Sequence, residues 1–102
     1  MSTTDSASGT PPLTERDVRA AGELLLVVEH APDLYHVYSE DGTEYTVDAR
    51  GGVCDCDDYH YRAPDDGCKH LRRVRFATGQ RELPDGVRLD PLLVQAAEEV
   101  EN

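Results

Sequence analysis

The chain has 102 residues, of which 21 are acidic and 10 basic, so its formal net charge at pH 7 is −11. At most one domain fits this length, and a core of this size is marginal because such domains bury only about 60% of the surface of their unfolded chain. The first residues lack the basic start and apolar run of a secretory signal, and the longest apolar stretch, residues 24–28, is far too short to cross a bilayer. These features favour a cytoplasmic protein without a membrane role.

The charge balance gives a second expectation. Nine of the ten basic residues are arginine, and Lys69 is the only lysine. So acidic a chain repels itself in dilute buffer, and molar salt relieves this repulsion because the Debye length falls to about 3 Å at 1 M. We therefore expect a salt-adapted, halophilic protein of haloarchaeal type, with an ordinary acidic protein as the alternative.

In chain order, residues 1–12 are rich in Ser, Thr, Gly and Pro and predict a disordered tail. The segment Thr14–Asp17 has the form of a capping box and predicts a short helix through about Ala21, ended by Gly22. A buried strand is predicted over residues 24–30, and the turn at residues 32–33 leads to a second strand over residues 34–39.

The loop of the next hairpin sets the register of its strands. A two-residue loop would place Val37 opposite Thr46, whereas a three-residue loop, residues 40–42, places Val37 opposite Tyr45. The longer loop gives the hairpin one apolar face. It also places Gly42 at the position that needs a left-handed backbone, which glycine adopts without steric cost. We therefore predict the three-residue loop.

Three cysteines and one histidine have the spacing of a metal site. Cys54-x-Cys56 is followed after eleven residues by Cys68-x-His70, and the chain has no other cysteine. Thiolate and imidazole are ligands that Zn²⁺ prefers, and three sulfurs with one nitrogen fill a tetrahedral shell. The pattern predicts one structural Zn²⁺ with no position open for catalysis. His60 is the rival ligand, which could replace His70 or enter a second site.

The segment that follows predicts a helix from Cys68 to about Thr78, capped by Gly79. On a helical wheel one arc faces the zinc and the sheet, namely His70, Leu71, Val74 and Ala77, and the other arc is basic. Phe76 falls among the basic residues and is either covered by the C-terminal segment or exposed to a partner. The predicted partner-binding residues are Lys69, Arg72, Arg73, Arg75 and Phe76. The alternative is that the arginines pair with the protein's own carboxylates on a solvated face.

The C-terminal residues 84–102 predict a linker and an amphipathic helix. Asp90-Pro91 suits a helix N-terminus, and an apolar stripe at helical spacing follows it: Leu92, Leu93, Ala96, Ala97 and Val100. We expect this helix to fold back over the sheet or over Phe76; the alternative is that its stripe serves dimerisation or a partner.

Residues 54–59 and 68–74 together closely resemble the SWIM zinc finger, whose pattern is Cys-x-Cys, a variable spacer and Cys-x-His. Tyr59 after the second cysteine, Lys69 between the last two ligands, and the aliphatic Leu71 and Val74 are also typical of that family. The resemblance covers about residues 34–79, with residues 14–33 as a plausible extension. It implies a ββα arrangement in which two strands deliver the first ligand pair and the helix delivers the second.

The fold class expected from these observations is α+β: a small zinc-stabilised ββα finger over residues 14–83 with antiparallel strands, a preceding N-terminal helix and a C-terminal amphipathic helix. The family includes chromatin-remodelling helicases, Mutator-type transposases, ubiquitin ligases and partners of recombination proteins, in which the finger binds DNA or protein.

Two functions remain open for the basic helix. Residues 68–81 contain five basic and no acidic residues, whereas the rest of the chain is strongly acidic. The first hypothesis is an adaptor that presents this helix to a protein partner, and the second is a DNA- or RNA-binding accessory factor. We expect neither enzymatic activity nor a small-molecule substrate, since every thiol is better assigned as a metal ligand.

Overall fold

The computed structural model describes residues 13–101, so the predicted disordered tail, residues 1–12, lies outside the described residues. The helices are α1 (Glu15–Gly22), α2 (Asp57–Arg62), α3 (Lys69–Ala77) and α4 (Pro91–Glu101), and the strands are β1 (Leu26–Ala31), β2 (Leu34–Tyr38), β3 (Glu44–Asp48) and β4 (Val53–Cys54). The strands form one antiparallel sheet in the order β1-β2-β3-β4. The expected α+β class, with helices before and after the finger, is confirmed.

Helix α1 begins with the predicted capping box. The backbone N–H of Asp17 donates to Thr14 Oγ1 over 3.2 Å, and the Thr14 N–H donates to Asp17 Oδ2 over 3.0 Å. The helix includes Gly22, one residue more than predicted, and ends at Glu23, whose backbone is extended. A Cβ on Gly22 would lie 3.1 Å from the carbonyl oxygen of Arg88, so the small residue lets a later segment pack closely against α1.

The hairpin between β2 and β3 has the predicted register. Val37 lies opposite Tyr45, and Tyr35 lies opposite Val47. Gly42 has a φ of 88°, which is the left-handed conformation that the three-residue loop requires. The first strand starts at Leu26, later than predicted, because the preceding Leu25 is a core residue whose N–H donates to Asp90 Oδ2 over 3.2 Å.

Helix α3 lies at the centre of the domain. Its residues Leu71 and Val74 are buried in the core beneath the sheet, while Phe76 and Ala77 pack in a second cluster with Leu93 of α4. The helix ends as predicted before Gly79, whose φ is 81°. Phe76 is therefore covered by the C-terminal helix, which begins at Pro91 and folds back onto α3 as expected.

Residues 57–62 form the short helix α2, which no sequence pattern predicted. The Sγ of Cys56 accepts a hydrogen bond from the N–H of Tyr59 over 3.4 Å, so a cysteine takes the N-cap position that Ser, Thr, Asp or Asn usually occupies. The acidic Asp57 and Asp58 in the first turn were the available signal.

Across residues 13–101, the helices are all too short or too polar to cross a bilayer.

Candidate metal centre

The four predicted ligands converge at one point. The ligand atoms of Cys54, Cys56, Cys68 and His70 all lie within 4.8 Å of one another. The Sγ atoms of Cys54 and Cys68 are each 3.9 Å from Nδ1 of His70. In a tetrahedral site with Zn–S of about 2.3 Å and Zn–N of about 2.0 Å, neighbouring ligand atoms are roughly 3.5–3.8 Å apart. The cluster therefore has nearly the dimensions of a single tetrahedral metal site.

Three structural elements deliver the ligands. Cys54 ends β4, where it pairs with Val47 of β3, and Cys56 follows as the N-cap of α2. Cys68 is the N-cap of α3, so His70 falls in the first turn of that helix. The entry into α3 depends on Gly67, which has a φ of 91° and where a Cβ would lie only 2.3 Å from Leu71 Cδ2.

Because the four donors are buried, their thiolate charges need a cation to balance them. All four residues are at most 4% exposed. A hydrogen bond with Cys68, together with burial, raises the pKa of Cys54, and burial raises the pKa of Cys56. The hydrogen bond with Cys54 lowers the pKa of the Cys68 thiol to about 4. These opposed shifts mean that the three buried thiols do not all ionise by themselves, and a divalent ion would supply the positive charge that three buried thiolates need.

The histidine of the cluster is held by an aromatic contact. The ring of Tyr45, from β3, stacks on the His70 ring with 4.1 Å between centroids and 22° between planes. This contact fixes the imidazole with Nδ1 close to the sulfurs. His60 is exposed on α2 and lies outside the cluster, so His70 is the nitrogen ligand that the described residues bring to the site.

Arg72, one of the predicted partner-binding residues, is only 5% exposed, so its side chain is not on the surface of the helix. Its Nη1 donates to Asp17 Oδ1 over 2.8 Å and to Thr14 Oγ1 over 2.9 Å, and its other nitrogens donate to the carbonyl oxygens of Asp65 and Gly67. The guanidinium thus ties α3 to the N-terminus of α1 and to the loop before the ligands.

Asp17, the carboxylate partner of Arg72, is itself buried and also accepts a bond of 2.8 Å from Arg81 Nη1. Burial alone would raise the pKa of Asp17. The hydrogen bonds from Arg81, from the Thr14 backbone and from Arg72 outweigh that effect and hold the pKa well below its ordinary value. Asp17 is therefore a buried carboxylate that stays ionised because of its hydrogen bonds.

Arg73, another of the predicted partner-binding residues, is 1% exposed. Its guanidinium donates to the carbonyl oxygens of Ala20, Glu23 and Leu25 at 3.1, 2.9 and 2.8 Å, and it forms an ion pair with Asp90. Burial lowers the pKa of Arg73. A helical wheel shows only the direction in which a side chain leaves the helix. Here α1 and α4 pack against the side of α3 that carries the basic residues.

Of the five predicted partner-binding residues, Phe76 is buried like the two arginines, and two remain at the surface. Lys69 Nζ forms an ion pair of 2.6 Å with Glu23 Oε1. Arg75 is half-buried, and its Nη1 donates to the carbonyl oxygen of Asp66 over 3.3 Å. The helix therefore offers little free positive charge.

No family model, curated protein or solved structure matches this chain.

Proposed function

We propose that this protein is a SWIM-type zinc module that acts as a non-enzymatic adaptor for a protein partner, with one structural Zn²⁺ on Cys54, Cys56, Cys68 and His70. The observation that carries the proposal is the convergence of these four buried donors within 4.8 Å. Four protein ligands leave no vertex for water or a substrate, which is typical of a structural site.

The role of the metal would be to join the sheet to the central helix. In the first ligand pair, Cys54 is the last residue of β4 and Cys56 lies two residues later; the second pair lies at the start of α3. Structural zinc contributes on the order of 10 kcal/mol of binding free energy that is also folding free energy. This is comparable to the whole stability of a typical small domain, about 5–15 kcal/mol. We therefore expect zinc loss to unfold the domain.

The distribution of positive charge favours a protein partner over nucleic acid. Seven of the ten basic residues form ion pairs with carboxylates: Arg16, Arg19, Arg50, Lys69, Arg72, Arg73 and Arg81. Within residues 13–101, Arg62, Arg75 and Arg88 have no carboxylate partner, and they are spread over the chain. The net charge of −11 repels phosphate, and phosphate contacts weaken further as salt rises.

The metal assignment is tested with a matched pair of histidine variants. Wild-type protein and His60→Ala should carry one zinc per chain and melt at the same temperature. His70→Ala should lose the metal and the cooperative transition, because three sulfurs alone leave the shell incomplete. Metal content by mass spectrometry and melting by circular dichroism measure both effects. A His70→Ala chain that stays folded with one zinc would overturn the site.

The choice of partner class is tested by electrophoretic mobility shift. We expect no shift of duplex DNA or single-stranded RNA by the zinc-loaded chain at 0.15 M or at molar KCl. A shift that persists at molar KCl would instead support the nucleic-acid alternative, since nonspecific phosphate binding does not survive such salt.

A further inference from the structure

The sheet has two edge strands, the six-residue β1 and the two-residue β4. Strand β1 pairs with β2 alone, and hydrogen-bonded pairs alternate with non-bonded pairs along an antiparallel ladder. At the hairpin, Ser39 N–H donates to the carbonyl oxygen of Thr43 over 2.9 Å, so odd-numbered residues of β2 bond to β3 and even-numbered ones to β1. This register leaves the N–H and C=O groups of Val27 and Glu29 pointing to the free edge, where no other backbone group of residues 13–101 bonds to them.

The same strand exposes apolar side chains on the sheet face opposite α3. Leu26 is 47% exposed and Val28 is 42% exposed. Natural edge strands are usually protected from pairing by lysine, proline, β-bulges or very short length. Residues 26–31 contain neither lysine nor proline, and the β1–β2 register is regular from Leu26 to Glu29 and shifts only between Glu29 and Ala31. The regular part of the edge, residues 26–29, therefore has the free backbone groups that another strand needs in order to pair.

A cleft of about 200 Å³ adjoins this edge, between β1 and α4. Its lining is mixed: Leu26, Val27, Leu92 and Ala96 are apolar, and Arg73, Gln95 and Glu99 are polar or charged. A segment that paired with β1 could place an apolar side chain in this cleft. The strand edge and the cleft thus form one continuous surface, which we call the β1 surface.

The β1 surface carries negative charge. Glu29 lies on β1 itself and Glu99 lines the cleft, whereas Arg73, the one cation among the described residues that line the cleft, is paired with Asp90. Residues 26–48 contain no Lys or Arg. Opposite charge across an interface raises association rates and disfavours acidic partners.

We propose that the β1 surface binds an extended segment of a partner protein in which apolar and basic side chains alternate, and that this segment adds a fifth strand to the sheet. The inference rests on the proposed adaptor function and names the chemistry of its partner. A second copy of the chain is the poorer occupant, since it would bring another β1 with the same Glu29 and a net charge of −11.

The test uses zinc-loaded full-length protein and the synthetic peptide acetyl-Arg-Val-Arg-Val-Arg-Val-Arg-amide. Glu29→Pro removes an edge N–H that has no partner within the sheet, and proline is tolerated on edge strands. Glu29→Gln removes the same charge but keeps the N–H, so it is the matched control. By calorimetry we expect Glu29→Gln to bind the peptide within about fivefold of wild type, as for one surface charge. We expect Glu29→Pro to bind at least roughly tenfold more weakly than Glu29→Gln.

Changes in the NMR chemical shifts of the backbone amides identify the site where the peptide binds. Perturbations centred on residues 26–31, lost when the peptide carries N-methyl groups on alternate amides, would support strand addition. Equal binding by the two Glu29 variants, or shifts centred on α1 and α2, would refute it. If sedimentation shows that the protein is a dimer and the peptide does not dissociate it, the proposal would also be overturned. A second copy of the chain would then be what binds the β1 surface. Failure of the proposed function would be visible separately, as absence of zinc from the wild-type chain.

Discussion

The buried ion pair between Arg73 and Asp90 gives the sharpest test of how this small domain holds together. Arg73 is 1% exposed and Asp90 is 2% exposed, and the guanidinium also donates to carbonyl oxygens in α1 and between α1 and β1. Removing one partner of such a pair leaves an uncompensated buried charge, which costs about 3–5 kcal/mol. We expect Arg73→Met and Asp90→Asn each to be destabilised by about this amount.

This loss is large against the total stability of a typical small domain. A loss of 1 kcal/mol lowers the melting temperature of a domain of 60–100 residues by about 4–8 °C, so each variant should melt roughly 12–40 °C lower. The double variant should lose less than the sum, with a coupling of about 0.5–3 kcal/mol, because neither charge is then left alone. Urea denaturation at fixed zinc concentration measures all three.

The matched control is Arg19→Met, which breaks the exposed pair with Glu15. The Arg19 side chain is 55% exposed, so this change should stay within about 0.5 kcal/mol of wild type. If Arg73→Met costs no more than Arg19→Met, the buried guanidinium is not what joins α1, β1 and α4, and the reasoning fails.

Three further predictions concern the cap, the entry glycine and salt. Thr14→Ala should lower the free energy of unfolding in urea by about 2 kcal/mol, because the Thr14 hydroxyl both caps α1 and accepts a hydrogen bond from Arg72. Thr14→Ser keeps the hydroxyl and should recover most of this loss, and a loss below about 0.5 kcal/mol for Thr14→Ala would contradict the prediction. Gly67→Ala should lower the free energy of unfolding by about 1–3 kcal/mol, because Gly67 has a φ of 91° and the new Cβ would clash with the Leu71 side chain. An unchanged melting temperature would contradict this and show that the loop adapts. The melting temperature of the zinc-loaded wild type should rise from 0.1 M to molar KCl as repulsion among the carboxylates is screened, and a constant or falling value would exclude salt adaptation.

Local chemistry explains what could be predicted from the residues themselves. The capping box at Thr14, the left-handed Gly42 and Gly79, and the start of α4 at Pro91 each depend on a few neighbouring residues. The candidate ligands were likewise indicated by donor type and spacing, and the fold brings all four together. The zinc itself, the SWIM resemblance and the protein partner stay predictions.

Long-range packing decided the rest. The helical wheel assigned Arg72 and Arg73 to a polar side of α3, but it contains no information about which distant segments cover that side. The fold places the N-terminus of α1 against Arg72, and Asp90 with the carbonyls near the end of α1 against Arg73. Both guanidinium groups are therefore buried. They donate hydrogen bonds to carbonyl and carboxylate oxygens that would otherwise be buried without a partner.

The sequence by itself determined the donors, the turns and the amphipathic stripes, since each is encoded within a few residues of chain. The tertiary structure alone decided which charges are buried, that β1 is an edge strand, and that α4 leaves a cleft beside it. These features arise from segments far apart in the chain, so local propensity cannot specify them. The basic helix that the sequence offered as a binding surface is largely internal, and the acidic sheet edge is the surface left open.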